Sequence, residues 1–303
     1  MTRVAAVDCG TNSVRLLIAD RTGGRLTDVR REMRIVRLGE GVDNTGMLAP
    51  QAIERTRVAL VDYAELMGGL DVDRVRMVAT SASRDATNRA DFVAMVQATL
   101  GVEPEVITGD AEARLSFAGA TSGLPDAEPP VLVVDIGGGS TEFVLGSSTV
   151  DSAVSVNIGC VRLTERHLHD DPPSAAQVQA ATEDVRAGIA RARQQVDFAA
   201  ARTVVGVAGT VTTITALALQ LPHYDAERIH GTWTTASQVR EIAAALLSAT
   251  RDERADLPSM HPGRVDVIGA GALVWQEIVA ATGAEQVLTS EHDILDGIAL
   301  SLG

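Results

Sequence analysis

The segments Asp8-Cys9-Gly10-Thr11-Asn12-Ser13 and Asp135-Ile136-Gly137-Gly138-Gly139-Ser140 follow one pattern, D-x-G-x-x-S. Each comes after an apolar run (Val4 to Val7; Val131 to Val134) and before another (Val14 to Ala19; Phe143 to Leu145). Such a pattern predicts strand, tight polar turn and strand, made twice. A glycine-rich turn lets backbone N–H groups converge on an anion, and Ser or Thr hydroxyls add donors beside them. The Asp at each strand end is placed to hold a metal or orient a water. A lone glycine turn is more often a plain hairpin than a ligand site. The matched pair, with an Asp in each, points instead to a phosphate clamp in which the two turns face each other.

Composition narrows the options. At 303 residues the chain is long enough for one large domain or two ordinary ones. Hydrophobic content of 46% with 22% charged residues is that of a soluble globular protein. The net charge of −14 argues against non-specific nucleic-acid or anionic-membrane binding, so a polyanionic ligand would need a local basic cleft. All 26 basic residues are Arg, and without Lys a Walker-type P-loop cannot exist. Cys9 and Cys160 are too few for a disulfide framework and read as small buried thiols. The N-terminus has no basic region followed by an apolar stretch, and no apolar run approaches ~18 residues, so a cytoplasmic protein is expected.

Strand and helix signals alternate, which favours an α/β fold. Residues 50–67 read as a helix, with Pro50 near its start and Ile53, Leu60, Val61, Ala64 and Met67 on one face. Val75 to Ala79 reads as a strand, Asp91 to Leu100 as a helix ended by Gly101, Val106 and Ile107 as a strand, and residues 110–119 as a short helix. Thr121 to Pro130, with Ser, Gly and three prolines, reads as a linker and candidate hinge. A helix of roughly 25 residues is expected after Pro172-Pro173-Ser174. Two strand–glycine-turn–helix units follow, Val204 to Leu219 around Gly206 and Gly209, and Val265 to Ala281 around Gly269 and Gly271. The expected organisation is two similar α/β domains, residues 1–122 and 123–303, each opening on a phosphate hairpin. A last helix near 292–303 is a candidate to pack back on the first.

Within the first turn, Thr11, Asn12 and Ser13 offer donors, and Arg15 shares a strand face with Ser13 and could reach the same anion. The second offers Gly137, Gly138 and Gly139, then Ser140, Thr141 and Glu142. Thr80 to Asn88 holds good N-capping residues, Ser83 or Asp85 among them. Arg84 is not needed for a cap, and its planar fork suits a pair of phosphate oxygens. In Ile107 to Arg114, Glu112 can be read in two ways. It complements the dipole of a helix start, or it serves as an ionised carboxylate aligning an attacking water. Ser155 to Glu165 reads as a strand running into a capped helix, and the six histidines show no metal spacing.

Taken together, VDCGTNSVRLLIAD, ATSASRDATN, ITGDAEARLSF, VVDIGGGSTEFVLG, NIGCVRLTE and VAGTVTT resemble the exopolyphosphatase / guanosine pentaphosphate phosphohydrolase family of the actin-like, sugar-kinase-like superfamily. The resemblance runs from Val4 to Leu302, and the closing HPGRVDVIGAGAL and SEHDILDGIALSL look like the family's short actinobacterial branch. It implies two ribonuclease-H-like α/β domains with an interdomain cleft, and hydrolysis of the terminal phosphoanhydride of inorganic polyphosphate. The family's catalytic carboxylate falls on Glu112, and Arg84 falls on a catalytic position as a phosphate grip. Its metal-associated acids fall on Asp135 and Glu142, with Asp8 at the matching place of the first turn, for Mg²⁺ or Mn²⁺. Its phosphate-binding positions fall on Gly10, Thr11, Asn12, Ser13 and Arg15, and on Gly137, Gly138, Gly139, Ser140 and Thr141. Alternatives that stay open are removal of the 5′ phosphate of guanosine pentaphosphate, the stringent-response nucleotide, an ATP-dependent phosphotransferase, and a polyphosphate or nucleotide sensor. A homodimer is expected by family likeness alone. Kinases of the superfamily hold adenosine near glycine turns like Gly206 to Thr210 and Gly269 to Gly271, which leaves a nucleoside site there an open question.

Overall fold

A computed structural model describes residues 2–303. They form two compact units, one made of the chain up to Gly119 together with Asp293–Gly303, the other of Ala120–His292.

In the first unit, β1 (Thr2–Cys9), β2 (Ser13–Thr22), β3 (Arg25–Ile35), β4 (Arg74–Ala79) and β5 (Glu105–Val106) form a sheet of order β3-β2-β1-β4-β5. The first three strands are antiparallel neighbours, and β4 and β5 run parallel to β1. Val4–Val7 of central β1 is an unbroken apolar run because both faces of the strand are covered. Ala5, Val7 and Cys9 pack on one side with Leu60 and Tyr63 of the helix Pro50–Gly69 and Phe92 of the helix Arg89–Leu100. Val4 and Ala6 pack on the other side with Ile294, Leu295, Ile298 and Ala299 of the terminal helix Ile294–Ser301.

The second unit repeats this plan. β6 (Val131–Ile136), β7 (Thr141–Gly146), β8 (Val150–Val156), β9 (Thr203–Val207), β10 (Trp233–Thr235) and β11 (Gln286–Thr289) form a sheet of order β10-β11-β9-β6-β7-β8. Again the opening three strands are antiparallel neighbours, and β9 and then β11 extend the sheet in parallel. Leu132, Val134 and Ile136 face a core shared with Val185 and Ile189 of the helix Ala175–Ala192 and Trp275 and Ile278 of the helix Ile268–Thr282. The doubled ribonuclease-H-like α/β architecture is thus present as two sheets of matching order. No helix among the described residues is long and apolar enough to cross a membrane.

Three local expectations need correction. The helix after Ser174 has 18 residues and stops at Ala192, because Val196 and Phe198 turn into the core and Asp197 caps the short 3₁₀ turn Phe198–Ala200. Val265 is not in a strand; it follows a 3₁₀ turn, Pro262–Arg264, and Gly269 and Gly271 lie inside the helix Ile268–Thr282. Neither Ser83 nor Asp85 is an N-cap. Both belong to the helix Ser81–Asp85, whose N-cap is Thr80, and the next helix, Arg89–Leu100, has Asn88 at its N-cap.

Candidate active site

Open α/β sheets present ligands at the carboxyl ends of their parallel strands, and in each unit the candidate residues gather there. In the first unit the end of β1 leads into the turn Gly10–Asn12, the end of β4 into the helix Ser81–Asp85, and the end of β5 into the helix Gly109–Thr121. The Gly10 N–H donates to Ser13 O at 2.9 Å and closes the hairpin. Gly39 N–H donates to Thr11 O (2.9 Å), and Val36 and Arg37 N–H donate to Asn12 O (3.0 and 2.9 Å), so the turn is braced from outside the hairpin. Thr11 Oγ1 and Ser81 Oγ share a 2.8 Å hydrogen bond that ties the turn to the helix carrying Arg84.

Arg84 Nη1 donates to Glu112 Oε2 and to Ile107 O, both at 3.0 Å. Glu112 sits in the first turn of its helix with only 7% of its surface exposed. Sequence reading assigned Arg84 to phosphate and Glu112 to water as separate jobs; the structure pairs them. A guanidinium carries five N–H donors in a rigid fork, so one Arg can steer the carboxylate and still present donors to an anion.

Arg15 departs from its expected place. Its Nε and Nη2 donate to Asp8 Oδ2 (3.0 and 2.7 Å), and Nη1 pairs with Asp293. Burial works against its charge, and Asp293 and Asp8 together outweigh that cost and hold it protonated. The guanidinium that was to reach the anion is committed to two carboxylates instead. Burial pushes the Asp8 carboxyl above the usual carboxylate range, against the pull of Arg15. Asp8 Oδ1 is buried with no hydrogen-bond partner.

In the second unit Gly137 N–H donates to Ser140 O at 3.0 Å, the same closing bond as in the first hairpin. Here the brace is the start of the helix Cys160–His167. Cys160 N–H donates to Gly137 O (3.0 Å), Val161 and Arg162 N–H donate to Gly138 O (2.9 and 3.1 Å), and Arg162 Nε donates to Gly139 O (2.7 Å). Gly159 makes the approach possible, since a Cβ on it would lie 2.4 Å from the Gly138 carbonyl. Thr141 Oγ1 donates to Ile158 O at 2.5 Å, so this hydroxyl is spent on the scaffold.

Asp135 and Glu142 are register partners across β6 and β7, as Asp8 and Arg15 are across β1 and β2. Both acids are buried, and Ser155 Oγ donates to Glu142 Oε1 at 2.6 Å. Among the described residues no group of three or more His, Cys, Asp or Glu side chains forms a cation cage. Mg²⁺ does not require one, because it is commonly held by one or two carboxylates plus substrate phosphates and water. Two neighbouring carboxylates at the phosphate turn of the second unit fit that hard, oxygen-seeking ion.

In the later strand–helix segments, Gly209 and Gly271 admit close neighbours. A Cβ on Gly209 would meet the Arg264 guanidinium at 2.0 Å, and Arg264 Nη1 donates to Gly209 O (2.7 Å) and Thr213 Oγ1 (3.0 Å). Gly271 lies against Thr210, where a Cβ would fall 2.4 Å from Oγ1. At Gly209 the space beside the backbone is therefore filled by the chain itself.

The profile of the Ppx/GppA phosphatase family matches residues 17–302. The chain belongs to that family. It is 53% identical to Exopolyphosphatase 2 of Mycobacterium tuberculosis over 315 residues, covering 100% of this chain and 99% of that relative. The crystal structure of an exopolyphosphatase-like protein, 43% identical, superposes with a TM-score of 0.97 over 100% of this chain and 98% of the other. That of the Aquifex aeolicus Ppx/GppA family member, 33% identical, has a TM-score of 0.83 over 99% and 97% of the two chains. Sequence reasoning missed the residues that hold the Ppx/GppA turns in place: Ser81, Gly159, Arg162 and Asp293. Gly159 and Arg162 lie in a segment read as strand into capped helix, and no local signal marked Ser81 or Asp293 as neighbours of a distant turn.

Proposed function

We propose that the chain is an exopolyphosphatase, hydrolysing the terminal phosphoanhydride of inorganic polyphosphate and releasing orthophosphate. The observation that carries this reading is the buried Glu112 carboxylate held by Arg84 at 3.0 Å, at the strand ends beside a phosphate-type turn. The full-length likeness to Exopolyphosphatase 2 supports the substrate class.

Glu112 Oε accepts a proton from a water, whose oxygen forms a bond to the terminal phosphorus. The bridging P–O bond breaks, the shortened chain keeps the bridging oxygen with its negative charge, and Glu112 returns the proton to solvent. Arg84 keeps Glu112 aimed and offers N–H donors to phosphoryl oxygens. Backbone N–H groups of Thr11 and Asn12 in the first unit, and of Gly138 and Gly139 in the second, each offer fixed donors of the kind a phosphate takes. Asp135 and Glu142 would hold Mg²⁺ with phosphate oxygens, and the ion would neutralise phosphoryl charge.

The test is orthophosphate release from short polyphosphate, long polyphosphate and guanosine pentaphosphate, with and without Mg²⁺. Expected is Mg²⁺-dependent release from polyphosphate in preference to the nucleotide. Release from guanosine pentaphosphate alone, or from neither, overturns the proposal.

A further inference from the structure

Asp293 is where the chain re-enters the first unit, and it is the N-cap of the terminal helix. Its Oδ1 accepts from Leu295 N–H at 2.9 Å, and its own N–H donates to Asp296 Oδ2 at 3.0 Å. Its Oδ2 has a different duty, accepting from Arg15 Nη1. Arg15 in turn gives Nε and Nη2 to one oxygen of Asp8, leaving Asp8 Oδ1 buried and without a partner. One guanidinium thus links a helix cap on one side to an incompletely satisfied carboxylate on the other.

The cap itself is fixed to the element that carries Glu112. A Cβ on Gly119 would fall 1.7 Å from Asp293 O, and one on Gly297 would fall 1.9 Å from Leu115 O. The backbones of the terminal helix and of Gly109–Thr121 therefore touch, and Asp293 cannot shift without disturbing Glu112's own helix. Asp8 is tied through Arg15 to the same frame. Ion pairs at this burial are costly to break, because losing one partner leaves an uncompensated charge.

We propose that Asp293 is a positioning residue. Through Arg15 it sets the orientation of the Asp8 carboxylate, so that the unpartnered Oδ1 and the Glu112 carboxylate share one rigid reference. The proposal rests on the reading of the Asp8 hairpin as part of a phosphoryl-hydrolysis site.

Asp293→Asn separates positioning from folding, since Asn caps a helix as well as Asp. Turnover of tripolyphosphate and thermal midpoints are compared for wild type, Asp293→Asn, Asp8→Asn and the double variant. Expected for Asp293→Asn is a fall in kcat of about tenfold to a hundredfold, with KM within about twofold. The thermal midpoint falls, because Arg15 keeps only one of its two buried carboxylates, but the variant stays folded at the assay temperature, and the kcat loss disappears in the Asp8→Asn background, as coupled residues require. Equal losses in both backgrounds, unchanged kcat, or a variant already unfolded at the assay temperature would overturn it. A second readout does not need turnover: the side-chain ¹⁵N signal of Arg15 Nε, assigned with Arg15→Lys, should move in both single variants. If the wild-type protein releases no orthophosphate from any polyphosphate, the functional reading falls and this signal alone decides. An Arg15 signal unmoved by Asp293→Asn overturns the positioning role.

Discussion

Glu142 stands across the β6–β7 ladder from Asp135, at the place where the first hairpin sets an Arg opposite its own Asp. The two hairpins are alike in closing bond and strand order, yet opposite in charge logic. The first brings its own cation to its carboxylate. The second sets two carboxylates side by side, which is unfavourable for like charges facing across a ladder unless something positive joins them.

Neutralising one of that pair should therefore separate stability from activity. Glu142→Gln is expected to leave unfolding in metal-free buffer unchanged or stabilised by about 0.2–1 kcal/mol. It should also raise the Mg²⁺ concentration needed for half-maximal phosphate release by at least about tenfold. Thermal unfolding and a Mg²⁺ titration of activity measure the two effects, and an unaltered Mg²⁺ requirement counts against the assigned role.

Glu112→Gln should lower kcat by about a hundredfold to ten-thousandfold, the range associated with a lost general base. The neutral amide keeps a hydrogen-bond acceptor toward Arg84, so tripolyphosphate binding measured by calorimetry should remain. Near-normal turnover in this variant would refute the assignment.

Arg84→Ala removes the donor to both Glu112 and Ile107 O. Both KM and kcat should suffer, since the side chain steers the base as well as the anion. Circular dichroism should remain that of the folded chain, whereas an unfolded variant would mean that the bond to Ile107 is chiefly structural.

Gly159→Ala places a Cβ at 2.4 Å from the Gly138 carbonyl, which cannot be accommodated without moving the phosphate turn. Activity should fall steeply even where the protein still folds, and the thermal midpoint should drop as well. Wild-type kinetics in this variant would show that the turn can shift freely.

Burial pushes the Cys160 thiol up from its ordinary value near 9 to about 11, with Arg264 pulling weakly the other way. The folded state thus keeps a proton that the unfolded chain gives up. The resulting stability is fully present below pH 9 and is lost as pH rises through 11. The denaturant midpoint should decline across that window, and Cys160→Ala should flatten the decline. An identical decline in that variant would assign it to other groups.

Much of this architecture is legible in the chain. The D-x-G-x-x-S repeat, with apolar runs on both sides, encodes two hairpins locally, and both form as the pattern requires. Pro50 and Gly101 mark helix ends because their backbone preferences act within a residue or two. What stayed hidden depends on residues far apart in sequence. Nothing near Arg15 signals that Asp293 will claim its guanidinium, and nothing near Val265 signals that Gly271 will be used to admit Thr210 rather than to make a turn. Spacing reports periodicity, not the identity of a distant partner.

The terminal helix has a consequence for biosynthesis. Ile294, Leu295, Ile298 and Ala299 help to cover one face of β1, a strand made long before them. Until that helix leaves the ribosome, Val4 and Ala6 lack its part of their cover, while Ala120–His292 already has all of its own strands. The later-made unit can finish first, and the nascent N-terminal sheet must wait with an unfinished, sticky face, the kind of surface that chaperones guard.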